Sequence, residues 1–165
     1  MKRIGLLSDT HGMVPKQVYT FFKDVDIILH AGDIGSTEVL EELKHFKPTM
    51  AVYGNIDGCE LYSELKRVES FEIEGVKIIM THIGGHPKRY EKGIKELLVR
   101  EKPDIFISGH SHILKVIYDN KLNLLHLNPG AAGKYGFHMV CTMIRFNIEQ
   151  GKPKDLEILE YDKNS

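Results

Sequence analysis

Five short polar strings carry the residue types that hold metal ions or move protons: Ser8-Asp9-Thr10-His11, Gly32-Asp33, Gly54-Asn55-Ile56-Asp57, Thr81-His82 and Gly109-His110-Ser111-His112. Asp9 and His11 stand two apart, so one turn can aim both at a single ion, and His110 and His112 repeat that spacing. Asp33 brings a carboxylate whose two oxygens can each take a different ion. Asn55 adds a neutral carbonyl oxygen. A mixture of carboxylate, imidazole and amide donors without thiolate suits Mn, Fe, Zn or Ni and poorly suits an iron–sulfur cluster. The 9 histidines in 165 residues make a metal site the first chemistry to look for. Glycines before Asp33, Asn55 and His110 let the backbone turn sharply and approach an ion. Any one of these residues alone reads as a cap or surface group; the ordered set carries the meaning.

The elements around these strings place them together. Ile4–Leu7 reads as a buried strand, and Pro15 opens a helix whose apolar face is Val18, Phe21 and Phe22. Asp26–His30 is a second strand. Ser36 caps a second helix, with Val39, Leu40, Leu43 and Phe46 at helical spacing, and Thr49–Tyr53 is a third strand. This β-α-β-α-β order implies parallel strands with helical crossovers. Phe71–Glu74 alternates and turns at Gly75 into the strand Val76–Met80. Tyr90, Ile94, Leu97 and Leu98 mark a helix that Pro103 stops before the strand Asp104–Ile107. Ile113–Tyr118, Leu122–Leu127, Phe137–Phe146 and Leu156–Tyr161 read as strands with no helix between them, and Asp119-Asn120-Lys121 as a hairpin turn. The expected class is α/β: a four-layer α/β/β/α sandwich of two mixed β-sheets flanked by helices. The second sheet is expected to be largely antiparallel and drawn from the C-terminal third, and residues 1–165 are expected to form one domain. Each polar string follows a strand, and in α/β sheets ligands bind at the carboxyl ends of the strands.

Composition narrows the partners. A net charge of -1 and a sequence pI near 6.8 give no basic excess, so nucleic acid is not indicated, although charge alone does not exclude it. No apolar run approaches the ~18 residues of a membrane span, so no membrane association is expected. The apolar run after Met1 is too short for a signal peptide, which makes a cytoplasmic location the expectation. Cys59 and Cys141 lie far apart without a CxxC pair and read as two free thiols. The sequence sets no oligomeric state.

The ordered strings DTH at 9–11, GD at 32–33, GN at 54–55, TH at 81–82 and GHSH at 109–112 resemble the calcineurin-like metallophosphoesterase superfamily. Length and element order resemble its small branch of bacterial and archaeal phosphodiesterases, to which the small retromer subunit is also similar. Asn128-Pro129-Gly130 resembles a late turn of that branch. The resemblance implies two divalent metal ions, manganese foremost with Fe, Zn or Ni as alternatives. By the same resemblance, Asp9, His11 and His112 match ligands of the first ion, Asn55, His82 and His110 match ligands of the second, and Asp33 matches the bridge. It implies hydrolysis of a small-molecule phosphate ester, a phosphodiester above all, by a hydroxide bridging ions about 3.5–4 Å apart. Asn55 is a further candidate for orienting a phosphate oxygen.

One position departs from the pattern. Many superfamily phosphatases carry, after the GN, a histidine placed to protonate the leaving oxygen; here that position is Ile56. A missing general acid costs roughly 10²–10⁴-fold in rate, least where the leaving group is already a stable anion. His86 could substitute for that acid or contact substrate, so Asp33, Asn55 and His86 are the candidate catalytic residues. His30 reads as a satisfied core histidine and Asp57 as a loop residue; Lys88 and Arg89 could meet a phosphate but read first as a solvated loop. No role is assigned to His45, His126 or His138. The competing function is a protein-binding scaffold of the same fold with metals absent or idle, as the retromer resemblance allows. A scaffold need not keep every ligand, and this chain has all seven.

Overall fold

Short apolar runs punctuated by turns build two sheets, and the computed structural model describes all of residues 1–165. β1 (Lys2–Leu7), β2 (Ile27–His30) and β3 (Thr49–Ala51) pair in parallel. They are linked by α1 (Gln17–Phe21) and α2 (Thr37–Phe46). The Pro15 carbonyl accepts Val18 N–H at 3.0 Å at the start of α1. Ser36 caps α2 by accepting Val39 N–H at 3.4 Å, and Lys44 and His45 lie in the last turn, where positive charge suits the helix dipole. A short α3 (Cys59–Glu64) leads to β4 (Val68–Ile73), which turns back into β5 (Val76–Thr81). A two-residue ribbon, β6 (Gly85–His86) against β7 (Arg89–Tyr90), precedes α4 (Ile94–Glu101) and β8 (Ile105–Ile107). The chain closes with β9 (Leu114–Asp119), β10 (Leu124–Pro129), β11 (Val140–Glu149) and β12 (Lys152–Asp162).

The first sheet has the order β12-β11-β1-β2-β3 and the second β4-β5-β8-β10-β9. Between them lies one apolar layer, with Ile4, Leu6 and Leu29 facing Ile78, Met80, Ile105, Ile107 and Leu127. Alternation along each strand sends the next residue to the opposite face. Leu7 and Ile28 thus meet Val18 and Phe22 of the α1 region and Leu40 and Leu43 of α2. On the far side, Ile94 and Leu98 of α4 cover Ile79, Phe106 and Leu124. The α/β/β/α sandwich of two mixed sheets is therefore observed.

The C-terminal strands are distributed differently from expectation. β9 and β10 enter the second sheet, but β11 lies antiparallel on β1, from Lys2 opposite Ile148 to Leu6 opposite Ile144, and β12 lies on β11. The second sheet is also not largely antiparallel, since β5, β8 and β10 run parallel between antiparallel edges. Tyr90 belongs to the ribbon rather than to a helix, and α3 has no counterpart in the expected elements.

Candidate metal centre

The five strings meet where the two sheets present the carboxyl ends of β1, β2, β3, β5 and β8. Asp9, His11, Asp33, His110 and His112 all have positive φ, between 48° and 69°. Among residues with a Cβ, Asp and His tolerate this left-handed region better than most. Cross-loop backbone bonds hold them there. Asp9 N–H donates to Gly32 O at 2.9 Å, His11 N–H to Asp33 O at 3.1 Å, and Gly109 N–H to His82 O at 2.9 Å. Two glycines allow the closest approaches. A Cβ on Gly54 would collide with the Asp33 carboxylate and backbone, and one on Gly32, at φ 101°, would stand 2.6 Å from Nδ1 of His82.

Supporting side chains stitch the loops. The buried Asp57 carboxylate accepts Gly54 N–H and Gly35 N–H at 2.8 Å and Ile34 N–H at 3.2 Å, a structural loop role as its sequence setting suggests. His30 is buried and satisfied. Its Nδ1 accepts Gly32 N–H at 3.1 Å, so Nε2 carries the proton and donates to Thr10 Oγ1 at 3.0 Å, while Thr10 donates onward to Ile34 O. Asn128 donates to Gly109 O at 3.0 Å and to Ser111 Oγ at 3.2 Å, bracing the turn that carries His110 and His112.

Two donor triads face one another, Asp9 with His11 and His112, and Asp33 with His82 and His110. Nε2 of His112 lies 3.2 Å from Asp9 Oδ1. Oδ2 of Asp33 is 3.6 Å from Nε2 of His11 and 3.2 Å from Nε2 of His82, so it stands between the triads. Asn55 joins the second triad, with its Oδ1 3.0 Å from Nδ1 of His110. Burial acts to raise the Asp9 carboxyl, but the imidazoles of His11 and His112, with His82 and Ser8, outweigh it and hold the group well below the usual carboxylate range. Asp33 is lowered in the same way, its burial outweighed by His82 and by the Ile56 N–H. His82 is raised, because Asp33 and Asp9 outweigh its desolvation. Asp9 Oδ1, His11 Nε2 and His82 Nε2 are all buried without a hydrogen-bond partner. Buried polar atoms without a hydrogen-bond partner are costly, and here all three belong to the two triads. The donor set and the orphans fit divalent cations.

Of the seven expected ligand positions, the structure brings six into the triads and sets Asn55 beside them. His86 stands apart on β6, its Nδ1–H donating to Pro87 O at 3.0 Å, and lines a cavity that His110 also borders. Four neighbours of the centre carry no role assigned from the sequence. The Ser8 hydroxyl donates to Asp9 Oδ2 at 2.7 Å, the Tyr135 ring lies 4.9 Å from that of His11, His138 packs edge-on 5.0 Å from His112, and Asn128 braces the last turn. Ser8 and Asn128 lie within strings the sequence shows; Tyr135 and His138 lie on the loop before β11, which begins at Val140 rather than at the expected Phe137.

Residues 1–151 match the Calcineurin-like phosphoesterase superfamily domain. A protein named probable metallophosphoesterase from Methanothermobacter thermautotrophicus is 35% identical over 135 residues, which span 78% of this chain and 76% of that protein. The structure of an archaeal phosphodiesterase aligns with 95% of this chain and 99% of its own at a TM-score of 0.74 and 26% identity. Vps29 from Entamoeba histolytica, complexed with Zn²⁺, aligns over 98% of this chain and 99% of its own at a TM-score of 0.74; at 19% identity the likeness is one of fold. With the ordered donor strings and the two-sheet sandwich, these matches establish that the chain belongs to the calcineurin-like phosphoesterase superfamily.

Proposed function

We propose that this chain is a metal-dependent phosphodiesterase in which Asp9, His11 and His112 hold one divalent ion, Asn55, His82 and His110 hold a second, and Asp33 serves both. One observation carries the reading. Asp33 Oδ2 stands between the triads, near His11 Nε2 and His82 Nε2, two buried nitrogens without a hydrogen-bond partner. Both sheets contribute donors, so residues 1–165 act as a single domain in this reading. Divalent ions bound there supply Lewis acidity, neutralising charge on a phosphoryl oxygen and acidifying water, with Mn as the ion of choice.

The chain's own part is to aim and fix the donors. The His82 Nδ1–H donates to Ala31 O at 2.8 Å, which sets the tautomer and turns the Nε2 lone pair to the centre. Ser8 Oγ–H and His110 N–H occupy Asp9 Oδ2, leaving Oδ1 free. Ile56 N–H donates to Asp33 Oδ1 at 3.1 Å and orients that carboxylate. Asn55, exposed at the rim, orients a phosphoryl oxygen. His86 contacts substrate from the adjoining cavity. No protonating side chain stands at position 56, so among diesters those whose leaving group departs as a stable anion, such as an aryl oxide, react fastest, and a sugar ester reacts more slowly.

After loading with Mn²⁺, kcat/KM for bis(p-nitrophenyl) phosphate is expected to exceed that for p-nitrophenyl phosphate. A clear monoester preference would overturn the diesterase assignment and leave the metal centre standing. Absence of metal-dependent hydrolysis of either ester would favour the second reading, a protein-binding scaffold. That reading draws on the fold likeness to Vps29 and on the exposed Tyr135, Phe137 and Met139.

A further inference from the structure

Two cavities adjoin the centre, and their chemistries differ. The first, of about 360 Å³, shares His110 with the second triad and is walled by His86, Arg89, Glu91, Ser111 and Lys115. His86 and Arg89 are cross-strand partners in the β6–β7 ribbon, so they present as a pair. That wall is preformed. Glu91 N–H donates to Gly84 O at 3.1 Å, Ser108 Oγ donates to Gly85 O at 3.2 Å, and the two-residue turn holds Lys88 at φ 75°. Neither Arg89 nor Lys115 makes an ion pair, although Glu91 lines the same cavity. Two cations without an ion-pair partner line this cavity, and guanidinium and ammonium groups so placed suit an anion.

The second cavity, of about 210 Å³, shares Asn55 and His82 with the centre and is lined by Tyr53, Tyr62 and Arg67. The two tyrosine rings meet edge to face with centroids 4.4 Å apart, and Tyr62 is exposed. Aromatic faces with a nearby guanidinium receive a planar ring by stacking. A phosphodiester carries two ester arms, and the centre has one cavity for each.

Resting on the phosphodiesterase reading, we propose that the substrate is a nucleotide diester in which one arm ends in a second phosphate, held by Arg89 and Lys115, and the other arm is a nucleoside stacked at Tyr53 and Tyr62. Arg89 and Lys115 are then the residues that set specificity. The phosphate-bearing arm lies over Ser111 and His86, and the scissile phosphorus lies at the triads.

The test compares the dinucleoside monophosphate TpT with its two terminally phosphorylated forms, pTpT and TpTp, using the full chain loaded with Mn²⁺. At least one phosphorylated form should show kcat/KM about 10-fold above TpT, as one charge-assisted contact would give. In Arg89→Ala/Lys115→Ala that ratio should fall to about one through KM, while Arg89→Lys and Lys115→Arg keep most of it. Matching thermal melts of variant and wild type confirm that the fold survives. Equal kcat/KM for all three dinucleotides, or a preference retained in the double variant, would overturn the inference. Bis(p-nitrophenyl) phosphate separates the failures. Hydrolysis of it without discrimination among dinucleotides sinks only this inference, and no hydrolysis of any diester sinks the phosphodiesterase reading with it.

Discussion

Ile56 is 45% exposed, and its backbone N–H rather than its side chain serves the centre by donating to Asp33. Ile56→His should therefore be tolerated within about 0.5 kcal/mol, as surface substitutions usually are. The sequence suggests that Asp57 would orient the new imidazole. The structure turns that partner away, because the Asp57 carboxylate is buried and directed at three loop N–H groups. An unoriented acid should reach only the low end of general acid catalysis, about 10²-fold or less. Hydrolysis of an alkyl monoester should rise relative to that of a diester, and a series of leaving groups of graded pKa reads the change. An equally steep dependence on leaving-group pKa in both proteins would show that the histidine donates no proton. The donors themselves were legible because each follows a strand end and carries its chemistry in its residue type. Tyr135 and His138 were not, since their nearness to His11 and His112 depends on how the loop after β10 folds over the centre.

At the scale of elements, what was legible is what local periodicity encodes. The β-α-β-α-β order, the Ser36 cap and the Gly75 hairpin all appear where the pattern places them. The docking of β11 on β1 joins residues about 140 positions apart, and no local pattern specifies which sheet a late strand will enter. α3 spans six residues after Gly58 with no side-chain cap, too short for a helical pattern to register. The ribbon that carries His86 and Arg89 has two-residue strands and is equally silent. The loops after β2 and β3 depend on one carboxylate, which leads to a second expectation. Asp57→Asn exchanges an acceptor pair for one acceptor and one donor, so at least one of the three loop N–H groups, those of Ile34 and Gly54 buried and that of Gly35 part-buried, loses its partner. A cost of about 2 kcal/mol is expected, with weaker Mn²⁺ binding as the loop bearing Asp33 loosens. Urea midpoints and metal titrations check both; an unchanged midpoint would show that the three bonds contribute nothing net.

For the whole molecule, two core histidines lower stability in acid, while His82, its desolvation outweighed by Asp33 and Asp9, is raised and acts in the opposite direction. Burial pushes His30 from 6.5 down to about 4, against the pull of Asp57 and Asp9, and burial likewise pushes His126 down to about 4. Both groups are depressed on folding, so below about pH 6.5 the unfolded chain binds protons that the folded chain refuses. Stability is therefore full above that pH and falls as pH is lowered towards 4. The His30 gap alone sets a ceiling of about 3 kcal/mol, from 1.36 kcal/mol per unit. Urea unfolding of metal-free protein at about pH 7 and about pH 4.5 should show the loss, and His30→Gln should flatten it. A pH dependence unchanged in His30→Gln would remove that group from the acid response.

The two sheets bring six donors and Asn55 to one place, with Asp33 Oδ2 3.6 Å from His11 of one triad and 3.2 Å from His82 of the other, and the proposed reading makes Asp33 the group that both ions share. Metal content per chain tests this most directly, measured after Mn²⁺ loading and removal of free metal, in wild type, His11→Ala and Asp33→Asn. Two equivalents are expected in wild type, one for each triad, with one weakened in His11→Ala and both weakened in Asp33→Asn while the fold persists. Two tightly held ions in Asp33→Asn, or none in wild type, would contradict a centre bridged by Asp33.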